Sequence, residues 1–469
     1  MDTPLPLEPS PEQLHELLAV AGAFVERFVA GVADAPASSD VMSPALHDEI
    51  RATVGDTAGT LDAALDLVRR GLDEGFNPAG PGFMAYIPGG GLVTAGVADL
   101  IACIVNRYVG IWPPAPAMVE IEYRVVRWLC DLFAYPPESR GVLTSGGSMA
   151  NLSAIVAARH ARLDDDVSAG RIYVTDQAHH SVAKAARIAG FAAAAVRVVP
   201  RDAGLRMDPE GLEAAVNEDR RAGLRPACVV VSAGTTNTGA IDPLGAIADV
   251  AEREGLWLHV DGAYGGFFQL TERGRSRFGG AARADSITLD PHKCMFLPYG
   301  TGALLARDGE ALRAAHAATG DYLRDFDEDD ALPNFGEYSP EFTRSFRGLR
   351  VWLPLVLHGV AAFREALDEK LDLARWLHDE LASEPSLELP WEPSLTVVTF
   401  RSRAGDDETL RILHEVNASR RVFFSSTSID GRVYIRPCIV VHRTHRDRIE
   451  EAAALIRSAA GRAPGSSSP

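Results

Sequence analysis

The chain has 469 residues, 46% of them hydrophobic, which is enough for one large core or for about two or three domains. Charged residues make up 23%, an ordinary value for a globular protein, so the composition is not that of a disordered chain. The formal net charge of −18 argues against nucleic acid or an anionic membrane surface as the main partner.

The N-terminal part of the chain is predicted to be helical. Apolar residues recur at helical spacing over 13–33 and again over 45–74, where the pattern ends at Gly75. A third helical pattern, over 94–133, is interrupted by the proline-rich stretch 112–116. The first two patterns fit either core helices or an arm that packs on a second subunit.

The pattern of apolar residues changes between residues 140 and 305, where short apolar runs rich in β-branched residues alternate with helical segments. These runs are RIYVTD, VRVVP, CVVVSAG, LWLHVDGA, SITLD and GALLA. Such alternation predicts βαβ units and an α/β fold with a central, mostly parallel, doubly wound sheet. After residue 345, a helical stretch, strand-like runs and a final helix predict a smaller α+β domain.

The five cysteines are spread along the chain without a C-x-x-C pair, and four of them stand among apolar neighbours. This pattern indicates neither a disulfide framework nor a zinc site, and it favours a reducing compartment. The first residues show no signal-peptide pattern, and no uninterrupted apolar run approaches the ~18 residues of a membrane span. We therefore expect a cytoplasmic protein with no membrane partner and no metal.

Residues that directly follow a predicted strand are candidates for a site, because ligands of an open parallel sheet bind at the carboxyl ends of its strands. Gly146, Gly147 and Ser148 follow GVLTS and open a helix, where free backbone N–H groups can hold a phosphate. His179 and Thr235 follow two further strands. Each of these features alone also fits an ordinary turn or helix cap.

Two more strands end in charged residues. Asp261 follows LWLHV, and a carboxylate at the end of a buried apolar strand needs a cationic or donor partner. Lys293 follows SITLD, although a single lysine is normally a solvated surface residue. At one sheet edge, the phosphate cradle, Asp261 and Lys293 together suit a phosphorylated pyridine aldehyde bound as an imine. The G-x-G-x-x-G arrangement of an NAD-binding unit is not found.

Several of these segments resemble the group II pyridoxal-dependent decarboxylases, which include the aromatic-L-amino-acid, histidine and glutamate decarboxylases. The resemblance covers residues 75–445 and is most specific in TDQAHHSV, LWLHVDGAYGG, ADSITLDPHK and SPEFTRSFRGLRVW. It implies the fold of the type I (aspartate-aminotransferase-like) pyridoxal 5′-phosphate (PLP)-dependent transferases. It also implies a PLP cofactor, an amino-acid substrate, and a homodimer with its sites at the subunit interface.

The resemblance further implies how the chain is divided. Residues 1–90 would form a helical arm that wraps on the partner subunit, and 91–345 the large PLP-binding α/β domain. Residues 346–460 would form the small C-terminal α+β domain. The last segment, 461–469, is rich in glycine, proline and serine and is expected to be a disordered tail.

Family roles carry over to the matching positions. Lys293 matches the lysine that forms the imine, Asp261 the carboxylate that pairs with the ring nitrogen, and His179 the histidine stacked on the ring. Arg347 matches a family arginine whose role stays open. The other implied cofactor contacts surround the phosphate and the ring: Gly147, Ser148, Thr235, Ala263 and His292.

The resemblance constrains the identity of the substrate and the type of reaction less than it constrains the cofactor. Phe83 and Trp112 fall in segments that shape the substrate pocket of aromatic-specific relatives, so an aromatic amino acid is the first expectation; glutamate, diaminobutyrate and aliphatic substrates stay open. Tyr322 lies in an acidic segment that resembles the family's mobile catalytic loop, although composition alone predicts a solvated connector. In aldehyde-forming relatives this tyrosine or the stacking histidine tends to be replaced; because Tyr322 and His179 are both present, simple decarboxylation is favoured over aldehyde formation. A lyase or aminotransferase reaction on the same scaffold stays open. Intact Lys293 and Asp261 argue against an inactive scaffold protein.

Three positions depart from the family pattern. Cys294 follows the lysine where tryptophan is common, and 80–83 reads Gly-Pro-Gly-Phe where His-Pro is common. Asp290 stands where many members have asparagine. Because an ionised Asp290 beside a phosphate would be repulsive, we expect its side chain to be turned away or paired.

Overall fold

The structure is a computed structural model that describes residues 6–317 and 333–462. The described helices are α1 (Pro11–Gly31), α2 (Pro44–Arg51), α3 (Leu61–Gly71), α4 (Val93–Val105), α5 (Pro116–Leu132), α6 (Gly147–Leu163), α7 (His180–Ile188), α8 (Pro209–Arg221), α9 (Leu244–Glu254), α10 (Glu272–Arg275), α11 (Pro291–Cys294), α12 (Gly309–His316), α13 (Arg347–Ala382), α14 (Asp406–Ala418) and α15 (Arg446–Ala460). None of them is both long and apolar enough to cross a membrane.

The described strands are β1 (Ser38–Ser39), β2 (Gly75–Phe76), β3 (Phe83–Met84), β4 (Arg140–Thr144), β5 (Gly170–Val174), β6 (Val196–Val198), β7 (Arg225–Ser232), β8 (Trp257–Gly262), β9 (Ser286–Leu289), β10 (Gly302–Ala306), β11 (Leu387–Glu388), β12 (Arg401–Ser402), β13 (Phe423–Ile429) and β14 (Arg432–Arg436). Each apolar run singled out between residues 140 and 305 overlaps one of β5 to β10. The predicted strands therefore exist.

A central sheet has the strand order β4-β10-β9-β8-β7-β5-β6. Strands β5 to β9 run parallel to one another, whereas β10 is antiparallel to both β4 and β9. Helices α5, α6, α8 and α9 pack against the sheet. The predicted α/β fold class, with a mostly parallel central sheet, is confirmed.

Small side chains let α6 lie close to the sheet. Its buried positions include Ala150, Ala154, Ala157 and Ala158. Large residues at these positions would hold the helix farther from the strands, because interiors pack at high density. The close approach brings the first turn of α6 to the carboxyl ends of β8 and β9.

The predicted helix over 45–74 is two helices in the structure. Helix α2 ends at Arg51 and α3 begins at Leu61, and the residues between them include Gly55 and Gly59. Glycine is a poor helix former because its backbone loses the most freedom on folding. Thr60 then caps α3 by accepting a hydrogen bond from the backbone N–H of Ala63, so a new helix starts there.

The C-terminal part of the chain forms a second layer around α13, α14 and α15. Strand β3 joins this layer by pairing in parallel with β13, which pairs antiparallel with β14. Helix α13 is interrupted at Gly359, where φ is +71°. Arg436 on β14 donates hydrogen bonds to the carbonyls of Thr236 and Asn237, and so ties the layer to the loop after β7.

The expected division at residues 90, 345 and 460 stays a prediction. The expected tail lies outside the described residues from residue 463 onward.

Candidate active site

A cavity of about 320 Å³ lies at the carboxyl ends of the central strands. It is lined by residues that follow β4, β5, β7, β8 and β9, as the strand-end argument predicts. The predicted site residues among its lining are Gly147, Ser148, His179, Asp261, Ala263, His292 and Lys293. The structure therefore brings together the residues proposed for the phosphate, for the ring and for the imine.

Other candidates do not line this cavity. The Thr235 hydroxyl accepts a hydrogen bond from the Ala240 N–H at 3.1 Å within its own turn, and Thr236 lines the cavity instead. Phe83 is buried and Trp112 is half-buried, and neither side chain lines the cavity. Tyr322 lies outside the described residues. The roles of these residues stay predictions.

The turn predicted to bind the phosphate, at Gly146, Gly147 and Ser148, is the uncapped N-terminus of α6. Helix α6 begins at Gly147, and no side chain caps it, so N–H groups of its first turn face the cavity side without a side-chain acceptor. At Gly146, φ is +155°, a value that residues with a side chain rarely adopt. A Cβ on Gly147 would lie 2.9 Å from Oδ2 of Asp290 and 3.1 Å from Cβ of Ala263, so a larger residue would not fit here unless these side chains moved.

Lys293 is held by an ion pair. Its Nζ lies 2.9 Å from Oδ2 of Asp290, whose side chain is only 3% exposed. Burial lowers the pKa of Lys293, but attraction to the Asp290 carboxylate outweighs it, and the pKa is raised overall. The expectation that Asp290 is paired is confirmed. Its second oxygen, Oδ1, has no hydrogen-bond partner among the described residues.

Asp261 is oriented by two hydrogen bonds. Its Oδ2 accepts from Asn151 Nδ2 at 3.0 Å, and its Oδ1 accepts from the backbone N–H of Ala263 at 3.1 Å. A carboxylate has about four lone-pair positions, so Asp261 can accept a further hydrogen bond from a group in the cavity. A protonated ring nitrogen is such a group.

The two site histidines are electrically neutral in their buried settings. The His179 ring accepts a hydrogen bond at Nδ1 from the Ser181 N–H, and burial lowers the pKa of His179. His292 donates from Nδ1 to the carbonyl of Thr301 at 2.6 Å, and burial lowers its pKa as well. With Nδ1 engaged as an acceptor, the remaining ring proton of His179 sits on Nε2.

Arg347, whose role the resemblance left open, lies beneath the turn rather than in the cavity. It donates to the carbonyl of Leu143, the next-to-last residue of β4, at 3.3 Å and pairs with Glu341 at 2.7 Å. Arg344 donates to the same carbonyl and contacts Glu122 at 2.5 Å, with both of these side chains fully buried. These contacts hold the end of β4 from which the turn starts.

Sequence reasoning missed several lining residues, among them Asn151, Thr236 and Tyr264. Asn151 follows Gly147 by four residues, so the two share one face of α6. The available signal for Asn151 was its polar side chain on the sheet-facing side of a helix that begins at a phosphate-type turn. Thr236 and Tyr264 adjoin predicted residues, but the sequence does not tell which neighbour turns inward.

A sequence profile described as "Pyridoxal-dependent decarboxylase conserved domain" matches residues 47–403. The chain is 32% identical over 435 residues to the aromatic-L-amino-acid decarboxylase of Bacillus atrophaeus, with 91% of each protein covered. It is 33% identical over 396 residues to the L-2,4-diaminobutyrate decarboxylase of Rhizobium meliloti, covering 83% of this chain and 80% of that protein.

A solved structure has the same fold over almost the whole length. The crystal structure of Oryza sativa TDC with PLP and tryptamine superposes with a TM-score of 0.91 at 28% sequence identity. The match covers 98% of this chain and 99% of that one. It agrees with the fold that the motifs imply.

The Lys293–Asp290 pair leads to a test on ligand-free protein. Replacing the carboxylate by an amide in Asp290→Asn removes the attraction that raises the pKa of Lys293 and leaves the effect of burial. The pKa of Lys293 should therefore fall, so that more of it is the neutral amine at a given alkaline pH. Competitive acetylation across a pH series, read by peptide mass spectrometry, measures this. Asp131→Asn, which alters an exposed carboxylate on α5, serves as control; an unshifted Lys293 midpoint in Asp290→Asn would contradict the account.

Proposed function

We propose, from the premise that this chain belongs to the pyridoxal-dependent decarboxylase family, that it converts an aromatic L-amino acid to the amine and CO2. Family membership makes the protein a PLP-dependent amino-acid decarboxylase; the aromatic substrate and the residue roles are the proposal. The observation that carries those roles is the convergence of Lys293, Asp261 and the open end of α6 in one cavity.

The site fits PLP by its donor set. The uncapped first turn at Gly147 and Ser148 would hold the phosphate, since helix N-termini bind anions. Asp261 would accept the ring-nitrogen proton, and Lys293 would bind the aldehyde carbon covalently. Bound PLP supplies an electron sink for the electron pair that the departing carboxylate leaves on Cα.

The protein's own groups then set protonation and orientation. The Asp261 carboxylate, nearly buried, holds the proton at the ring nitrogen because a positive charge there is stabilised by the adjacent negative charge. Neutral His179 presents a flat ring on which the cofactor can stack without adding a second positive charge. Tyr322 is assigned, from the resemblance, to deliver a proton to Cα after CO2 leaves.

The proposal of an aromatic substrate is supported by a cluster of aromatic side chains that lies outside the cavity lining, on a segment that continues to the cavity. Phe83 stacks on Phe423 with ring centroids 5.8 Å apart, and Phe76 lies 4.5 Å from Phe423. The ring centroid of Tyr86 lies 6.5 Å from that of Phe83, and Tyr86 is 62% exposed. The same segment passes the cavity at Gly89, where a Cβ would lie 1.9 Å from the His292 carbonyl oxygen. The Bacillus atrophaeus relative supports the same substrate class, whereas the Rhizobium meliloti relative keeps diaminobutyrate as the alternative.

We also infer a homodimer from apolar surface that a single chain leaves exposed. Helix α1 has no buried residue, and α4 buries only Ala95 and Ala98. The exposed apolar residues on α4 and the adjoining part of α13 are Val97, Leu100, Ile101, Ile104, Val105, Val356 and Leu357. A groove of about 680 Å³ separates α1 from the segment 72–79. Monomeric proteins rarely expose such contiguous apolar area, so a second copy is the proposed occupant.

The state of the cysteines bears on the compartment in which the enzyme works. The cysteines are free among the described residues, and all except Cys103 are buried. Reduced, buried thiols are usual in the cytoplasm, where disulfides are rare. We therefore place the enzyme in the cytoplasm.

Product analysis over a panel of amino acids tests the proposed reaction. Tryptophan, tyrosine, phenylalanine, glutamate and 2,4-diaminobutyrate are supplied separately, and amine and CO2 are quantified. We expect an aromatic amine, with kcat/KM at least about tenfold above that for the other classes, a difference of about 1.4 kcal/mol. Borohydride should fix a pyridoxyl group on Lys293, and Lys293→Ala should form no amine. Faster turnover of glutamate or diaminobutyrate would replace the aromatic assignment.

Removing one hydroxyl tests the proton donor. If Tyr322 protonates Cα, Tyr322→Phe should lower amine formation by about 10²-fold. The unprotonated carbon should then react with oxygen, so aldehyde, ammonia and peroxide should appear under air and not under nitrogen. Tyr123→Phe, on α5, is the matched control and should change neither product. Equal amine rates in wild type and Tyr322→Phe would remove Tyr322 from the mechanism.

A charge placed in the exposed apolar face tests the dimer. Ile104 is 62% exposed on α4, so Ile104→Asp should leave the fold of one chain intact but oppose burial against a partner. Sedimentation should show a dimer for wild type and mostly monomer for Ile104→Asp, with loss of decarboxylation. Val198→Asp, at a 60% exposed position on β6, is the control and should stay dimeric. A wild-type monomer with full activity would overturn the proposal.

A further inference from the structure

We propose that Asn151 is a positioning residue that fixes, through one side-chain amide, both the carboxylate of Asp261 and the ring of His179. The inference rests on the proposed function, because it takes these two side chains as partners of the cofactor ring. Asn151 would act through them, not by touching the reacting atoms itself.

The donor side of the amide reaches both partners. Asn151 Nδ2 donates to Asp261 Oδ2 at 3.0 Å and to Ser181 Oγ at 3.0 Å. The Ser181 hydroxyl in turn lies 2.7 Å from Nδ1 of His179. An amide nitrogen carries two hydrogens, so one is available for each acceptor. Asn151 is 1% exposed, and water does not compete for these bonds.

The acceptor side of the amide is anchored in the sheet. Asn151 Oδ1 accepts from the Thr288 hydroxyl at 2.8 Å and lies 3.0 Å from Nε2 of His259. His259 Nδ1 lies 2.8 Å from Ser286 Oγ, which accepts from the Trp257 indole N–H at 2.8 Å. All four anchoring side chains lie on β8 and β9 and are buried. The amide therefore cannot rotate without breaking several buried bonds.

These contacts leave one consistent direction for the hydrogen bonds. The nitrogen of the amide must face Asp261, because an amide oxygen there would oppose a carboxylate. The His259 ring then donates to Asn151 from Nε2, and burial lowers the pKa of His259 to about 4, so that ring stays neutral at physiological pH. Since Ser181 accepts from Asn151, its own proton points to His179 Nδ1. The network thus sets the tautomer of His179 as well as the position of Asp261.

The choice of substitution follows from this direction. Asn151→Asp keeps the shape but replaces the donor with an oxygen, which places a second carboxylate about 3 Å from Asp261. Ser181→Ala is milder, since it removes only the branch to His179. Asn417→Asp is the matched control: this half-buried asparagine on α14 bonds the backbone of Phe424, in the C-terminal layer.

The experiment measures cofactor binding rather than turnover. PLP is titrated into each cofactor-free protein, and the dissociation constant is read from the visible band. Asn151→Asp should weaken binding by about tenfold or more, because a buried donor is lost and like charges meet. The pH midpoint of the band should move upward, since the extra carboxylate favours the protonated form of the bound chromophore. Asn417→Asp should change neither quantity, even where it lowers thermal stability.

Ser181→Ala keeps the inference testable if Asn151→Asp does not fold. It should weaken PLP binding on its own. A further variant, Asn151→Ala, removes the amide without adding a charge, and the effects of Ser181→Ala and Asn151→Ala should not add fully, because both break the same path to His179. Unchanged PLP affinity and band midpoint in folded Asn151→Asp, or full additivity of the pair, would overturn the inference alone. A wild-type chain that forms no band with PLP would overturn the proposed function, and this inference with it.

Discussion

Two carboxylates, Asp261 and Asp290, are buried in the same cavity as a single lysine. Burying an unpaired charge is costly, and each carboxylate meets this constraint differently: Asp290 pairs with Lys293, and Asp261 is held by an amide and a backbone N–H. With both site histidines neutral, the formal charge of the cavity is negative at the end where the ring would lie. That end suits a ligand with a cationic nitrogen.

The opposite end of the cavity has the reverse polarity, and the first turn of α6 is the reason. Its unpaired N–H groups and the helix dipole create a partial positive charge at the turn. The turn can reach the strand ends only because α6 packs with alanines, and it stays in place because Arg344 and Arg347 hold the carbonyl of Leu143. A single ligand that is cationic at one end and anionic at the other fits this gradient.

The exposed helices connect the site to the proposed dimer. Tyr299 is 62% exposed, and its ring centroid lies 5.8 Å from that of His292. Its backbone carbonyl accepts a hydrogen bond from Arg350 on α13. The exposed apolar residues of α4 lie next to those of α13, and the two helices are joined by a hydrogen bond between Thr94 Oγ1 on α4 and His358 Nε2 on α13, at 3.0 Å. The proposed partner subunit would therefore pack close to a segment that contacts a site residue, and exclusion of water from the cavity would strengthen the electrostatic interactions inside it.

The amino-acid sequence by itself determined the α/β class, the edge of the sheet that carries the site, and Gly147, Asp261 and Lys293 within it. It could do so because buried parallel strands are short apolar runs, and the residue after each run must lie at the same sheet edge. Only the tertiary structure decided that Asn151 faces Asp261, that Thr236 rather than Thr235 turns into the cavity, and that Asp290 pairs with Lys293. The first choice depends on which face of α6 meets β8 and β9, a contact between residues far apart in the chain. The other two concern neighbours in sequence, but the residue pattern does not tell which of two adjacent threonines turns inward, or whether Asp290 is turned away or paired.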